Sequence, residues 1–208
     1  GIAGNCPAII REQVSENHIL LTKSDMLCRL QSIDALARTE GVTIDFAIYD
    51  DATLTLVFDM RSATRDVDAV VKGSPDLLRK FTRQIAQNEG WDEDWLNDGV
   101  KGFASGSEQL DPCDQFSGSP EGGLRIYTPA PEYLFAMKCM AMCPEGFDGS
   151  RDIADIEGLA KIAGISSTEP AIKLIESFYP GNRIPPAAMS SVEEILKILT
   201  ASSWVTHK

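Results

Sequence analysis

Histidine is nearly missing from this chain: 208 residues contain two, His18 and His207. A zinc site would have to be built from those and five scattered cysteines, and the sequence does not bring enough ligands together for one. Cys139 and Cys143 are four apart and share a helix face, but have no histidine near them in the sequence. Positive charge is scarce too. Lysine and arginine number 19 against 31 aspartates and glutamates, a formal net charge of −12. That balance excludes a protein that binds nucleic acid through its overall field, and leaves a local basic patch, a small ligand or a protein partner. No apolar run reaches the roughly 20 residues of a membrane span, so no membrane partner is expected. No basic start leads into an apolar segment, so no signal peptide is expected. The cysteines are odd in number, and a chain of this length needs no staples. Free thiols in a reducing cytoplasm are the expectation.

What is present reads as an α+β protein, with a small mixed sheet and its helices followed by a helical region. Residues 1–23 are expected to form an N-terminal arm. Ser24 is placed as an N-cap, and Met26, Leu27, Leu30, Ile33, Leu36 and Ala37 then recur at helical spacing up to Gly41. Val42, Ile44, Phe46 and Ile48 alternate as on a strand. "DATLTLVFDM" reads as a short helix and "DVDAVV" as a second strand. Ser74, Pro75 and Gly90 punctuate the next helix. "WDEDWLNDGVKGF" is expected to be a helical turn and loop, and residues 104–123 a loop or insertion rich in Gly, Ser, Asp and Pro. "GLRIYTP" reads as a third strand. "APEYLFAMKCMAMC" is apolar nearly all round and so is a buried helix. Three amphipathic helices follow, the last opened by a capping box of Ser190 and Glu193. The division is a core over 24–128 and a helical region over 129–208.

The chemistry-bearing stretch is "IYDDATLTLVFDMRSATRDVDAVV". Asp66 and Asp68 are two apart on a strand and project to one face, away from Val67 and Ala69. Two buried carboxylates side by side repel each other, so such a pair holds a cation or faces solvent. Mg²⁺ takes hard oxygen ligands and needs only one or two carboxylates beside substrate phosphates. The alternative is an edge strand with two solvated aspartates that pair with Arg61 or Arg65. Lys138 is a single cation on an apolar helix and must find an anion. A phosphate would serve, as would Asp152 or Asp155, which share a helix face; a snorkelling lysine at the helix edge is the alternative.

Thr64, Asp66, Val67 and Asp68 match the motif T-x-D-[IV]-D, and "DWLNDGVKGF", "EYLFAMKCMA" and "SRDIADIEGLAKIAG" continue the likeness. In this ordered set the chain resembles the bacterial nucleotidyltransferase-like family of the DNA polymerase beta-like superfamily, related to AbiEii-type toxins. The resemblance covers residues 26–186. It implies a nucleotidyltransferase-type sheet with a C-terminal helical bundle. It also implies Asp66 and Asp68 as ligands of Mg²⁺ or Mn²⁺, Lys138 on an NTP phosphate, and Arg151, Asp152 and Asp155 as an R-D-x-x-D segment assisting. Asp50, Asp51 and Thr64 then border the nucleotide. The activity implied is transfer of a nucleotide from NTP to an RNA or protein acceptor. The alternative is a degenerate fold of that kind acting as a binding or regulatory module, with an antitoxin-like protein or a mobile element as its setting. Asp50–Asp51 stand where the family has Gly-Gly or Gly-Ser, which let the backbone approach a phosphate. The arginine expected after the lysine helix is missing before Arg151, and "LRIYTP" has no third carboxylate.

Overall fold

A computed structural model describes residues 20–73, 75–98, 104–114, 116, 118–141, 150–181, 184 and 186–203. His18, His207 and Cys143, like the first 19 residues of the expected arm, lie outside them.

The first helix, α1 (Lys23–Thr39), starts from Thr22 and not from Ser24. The Thr22 hydroxyl accepts from the Asp25 amide at 3.2 Å, and the Asp25 carboxylate accepts from the Thr22 amide at 2.9 Å. This reciprocal box satisfies two end donors, which Ser24, already inside the first turn, has no geometry to do. The helix ends at Gly41, whose φ of +65° suits a residue without Cβ.

Strand β1 (Leu21–Thr22) pairs antiparallel with β3 (Ala63–Thr64) in a small separate ribbon. The main sheet has five strands in the order β5 (Leu96–Asn97), β4 (Val67–Val71), β2 (Thr43–Ile48), β7 (Gly123–Pro129) and β6 (Leu110–Pro112). It is mixed: β2 runs antiparallel to β4 and parallel to β7. Two expectations need correction here. The tryptophan-rich segment contains β5, which pairs in parallel with β4, and the expected 104–123 loop contains β6, which pairs with the far side of β7. These strands of two or three residues are held by backbone pairing, which leaves no side-chain period to read.

Helix α2 (Asp50–Leu56) follows β2, and α3 (Pro75–Glu89) follows β4. On one face of the sheet, Ile44, Phe46 and Ile48 of β2 pack with Val67 and Ala69 of β4 against α1 and α3. Burial of this alternating set is the main drive for the α/β half. The other face takes the helical half: α4 (Pro131–Ala141), α5 (Ser150–Ile162), α6 (Thr168–Phe178) and α7 (Pro186–Ser203). There Ala47, Tyr49 and Leu54 join Tyr133, Phe135 and Ile156 in a second core. Every side chain from Tyr133 to Cys139 is buried, as the apolar run implied. Helix α7 starts a turn earlier than expected. Pro186 takes the first helical position, and the Ser190 hydroxyl donates to the Pro186 carbonyl inside the helix at 3.3 Å instead of capping it.

Among the described residues, no helix is long and apolar enough to cross a membrane. Cys28 on α1 is disulfide-bonded, against the expectation of thiols throughout, while Cys113 and Cys139 remain buried thiols.

Candidate functional site

Asp68 lies in β4, and Asp66 comes immediately before its first residue. Val67 and Ala69 are buried in the core with α1 and α3, so the period of two turns Asp68 to the opposite side, toward the helical half. The Asp68 carbonyl accepts from the Tyr49 amide at 2.9 Å, which ties the start of α2 to β4. The Asp66 carboxylate accepts from the Asn97 side-chain amide at 2.8 Å. Thr64 is buried, and its hydroxyl donates to the Asp66 carbonyl at 3.1 Å. Its visible work is to fix the peptide that carries the first aspartate.

Asp50 and Asp51 open α2. Tyr49, extended and without a side-chain cap bond, holds the N-cap position. Asp50 has φ of +50°, in the left-handed region where a side chain is strained and glycine is not. The backbone thus keeps a glycine-type conformation at the position where the resemblance calls for glycine, with a carboxylate added.

Both carboxylates turn onto Lys138. Lys138 is 7% exposed, and its ammonium touches Asp50, Asp51 at 2.8 Å, Asp155 at 3.2 Å and Asp152 at 3.7 Å. The anion demanded by a cation on an apolar helix is supplied four times over by the chain itself. Arg61, in the segment between α2 and β3, adds a second cation. Its guanidinium reaches Asp51 at 2.9 Å and grips both oxygens of Asp155, from Nε at 3.1 Å and from its terminal nitrogen. Such a fork is the strong form of a carboxylate bond. The sequence reading offered Arg61 to Asp66 or Asp68; the structure gives it to Asp51 and Asp155. Asp155 is 4% exposed and shared by both cations. The side chain of Arg151 lies outside the described residues.

The electrostatics follow from two cations among six carboxylates. Burial pushes the Asp68 carboxyl up to about 7, with Asp66, Asp50 and Asp51 adding repulsion and Lys138 opposing them. Two-fifths of the Asp50 side chain reaches solvent, yet desolvation still raises its carboxyl, with Lys138 pulling the other way. Burial would lower the Lys138 ammonium, but Asp50 and Asp51 outweigh it and hold it above the ordinary lysine range. Burial alone lifts the Cys139 thiol, which makes it a packing residue.

The spacing of the sequence pointed to Asp66, Asp68 and Lys138. It did not reveal Tyr49 as a positioning residue. Tyr49 lends its amide to Asp68, and its hydroxyl donates to Glu108 at 2.9 Å. Among the described residues, no group of three or more His, Cys, Asp or Glu side chains is arranged to hold a metal ion. Asp66 and Asp68 are the only adjacent carboxylates at the site that no lysine or arginine is bonded to among the described ion pairs. No protein-family model, no curated protein and no solved structure matches the chain.

Proposed function

We propose that the protein is a nucleotidyltransferase-like binding or regulatory module whose site cations are already engaged by its own carboxylates, and not a working transferase. One observation supports this above the others: the Lys138 ammonium is in contact with Asp50, Asp51, Asp152 and Asp155. A triphosphate that used Lys138 would have to displace carboxylates from a buried ammonium while facing Asp50 and Asp51 itself. Stranding a buried charge costs several kcal/mol, on the order of 3–5. In this reading the partner is a protein, of the antitoxin-like kind the resemblance implies.

The test is calorimetric titration of ATP with Mg²⁺ into the wild type and into the Asp50→Gly, Asp51→Gly double variant. Wild type is expected to give no saturable heat. The double variant removes two of the four carboxylates on Lys138, relieves the φ strain at residue 50 and is expected to bind. Micromolar binding by wild type that is lost in the variant contradicts the proposal and makes both aspartates ligands.

A second reading keeps the Mg²⁺- or Mn²⁺-dependent transferase, with NTP as donor and an RNA or protein acceptor. It is favoured by Asp68, whose carboxyl is raised to about 7 beside Asp66. Two mutually repelling carboxylates suit a divalent cation, which would be held by Asp66 and Asp68 and would neutralise charge developing on a phosphate. Mn²⁺ binding abolished by Asp66→Asn and Asp68→Asn would support it.

A further inference from the structure

The face of β4 turned away from Asp68 borders a second concavity. Ala69 and Val71 of β4, Leu78 of α3 and Leu96 of β5 form the apolar floor of a half-open cavity of about 160 Å³. An enclosed volume of roughly 150 Å³ takes a benzene-sized group, so a short aliphatic side chain fits. The mouth carries both signs of charge. Arg79 and Arg83 stand one turn apart on α3, and Glu93, Asp94 and Asp98 face them from the segments around β5.

Two features separate this cavity from a packing gap. Thr82 lines it and is 3% exposed, and its hydroxyl has no hydrogen-bond partner within the protein. Buried hydroxyls are nearly always satisfied, so an unpartnered one in the cavity wall sets it apart from ordinary packing. Two of the ion pairs at the mouth are long, and the third, from Arg79 to Asp98, is a hydrogen bond. Arg83 is 3.9 Å from Glu93, and Arg79 is 3.9 Å from Asp76 and 3.2 Å from Asp98, all on side chains about half exposed or more. Exposed pairs of this kind contribute little and exchange readily for a better partner. The cavity also shares a wall with the acidic cleft, because Asn97, whose amide holds Asp66, lines it.

We infer that this cavity binds a free α-amino acid with an aliphatic side chain. The side chain lies on Ala69, Val71, Leu78 and Leu96. The carboxylate takes the guanidinium groups of Arg79 and Arg83, which suit a planar anion. The ammonium faces Glu93 and Asp94. Three carboxylates at the mouth repel a phosphate, and two arginines there disfavour a simple amine. A zwitterion satisfies both.

The experiment is calorimetric titration of the full chain with L-leucine, with isocaproate, which lacks the amine, and with isoamylamine, which lacks the carboxylate. Leucine is expected to saturate, with each truncated probe weaker by about tenfold or more, the scale of one lost charge-assisted bond. Arg83→Ala, at an exposed position that leaves the core intact, is expected to weaken leucine by a similar factor while thermal unfolding stays unchanged. The inference is overturned by no saturable heat with leucine up to about 10 mM. It is also overturned by isocaproate binding as well as leucine, which would make this an anion site, or by an Arg83→Ala variant that binds leucine like wild type.

Discussion

The two faces of β4 are made of opposite materials. Val67 and Ala69 point into a core with Phe46, Ile48, Leu30 and Phe81. Their neighbours Asp66 and Asp68 belong to a site of six carboxylates, four of which are paired with Lys138 and Arg61. One face is stabilised by buried area, a term nearly indifferent to pH and salt. The other adds charge balance, whose contribution must change with protonation. The fold rests on buried area on both faces of the sheet, and on charge balance only where the aspartates gather beside the second core.

Removing material from each face should separate the two terms. Phe46 is fully buried in β2. Phe46→Ala should cost about 3–5 kcal/mol in urea denaturation, and the same near pH 5 as near pH 8. Lys138→Met strands Asp50 and leaves Asp51 and Asp155 to Arg61 alone, and should cost about 3–5 kcal/mol near pH 8. Near pH 5 the loss should shrink, because stranded carboxylates can take up protons. Equal losses at the two pH values would place Lys138 with Phe46, as packing and not as charge balance.

A smaller effect of opposite sign is expected at Asp68. Its folded value, about 7, lies above its ordinary value of 3.8, so the native state holds a proton that the unfolded chain releases. Stability contributed by this group therefore falls as pH rises from about 4 toward 7, and the penalty is complete above about pH 7. Asp68→Asn removes the penalty. It should raise the melting temperature near pH 8 and leave it almost unchanged near pH 4. A melting temperature lowered at high pH would mean that the ionised carboxylate has a partner, such as a bound cation. The smallest effect is expected at the exposed pair of Lys173 and Glu169, 2.7 Å apart on α6. Lys173→Ala should cost only about 0.3–0.5 kcal/mol, a reference for what an ion pair contributes without burial.

The parts of this structure that were legible in the sequence are those with a period. Ile44, Phe46 and Ile48 mark one face of β2, "GLRIYTP" is β7 residue for residue, and the apolar run around Lys138 is a buried helix. The need of Lys138 for an anion was legible from its surroundings alone. Which anion was not: Asp50 and Asp51 are 87 and more residues away in sequence, and only the packing of α2 against α4 brings them to it. Arg61 was misassigned for the same reason, since a cation in an irregular segment carries no directional signal. The short strands β1, β3, β5 and β6 are backbone events with no pattern to read. At Ser24 and Ser190 a good capping residue stood beside a better start: Thr22 with Asp25 in one helix, Pro186 in the other.

The central claim is that the counter-ions of Lys138 are its own aspartates. Nitrogen NMR of the lysine ammonium groups tests it directly, with Lys138→Arg used to assign the signal. The account predicts a Lys138 ammonium protected from exchange by its carboxylate contacts, whose signal does not move when ATP and Mg²⁺ are added and does move in the Asp50→Gly, Asp51→Gly variant. A wild-type signal that shifts in saturable fashion with ATP and Mg²⁺ would show Lys138 on a phosphate, and would contradict the account.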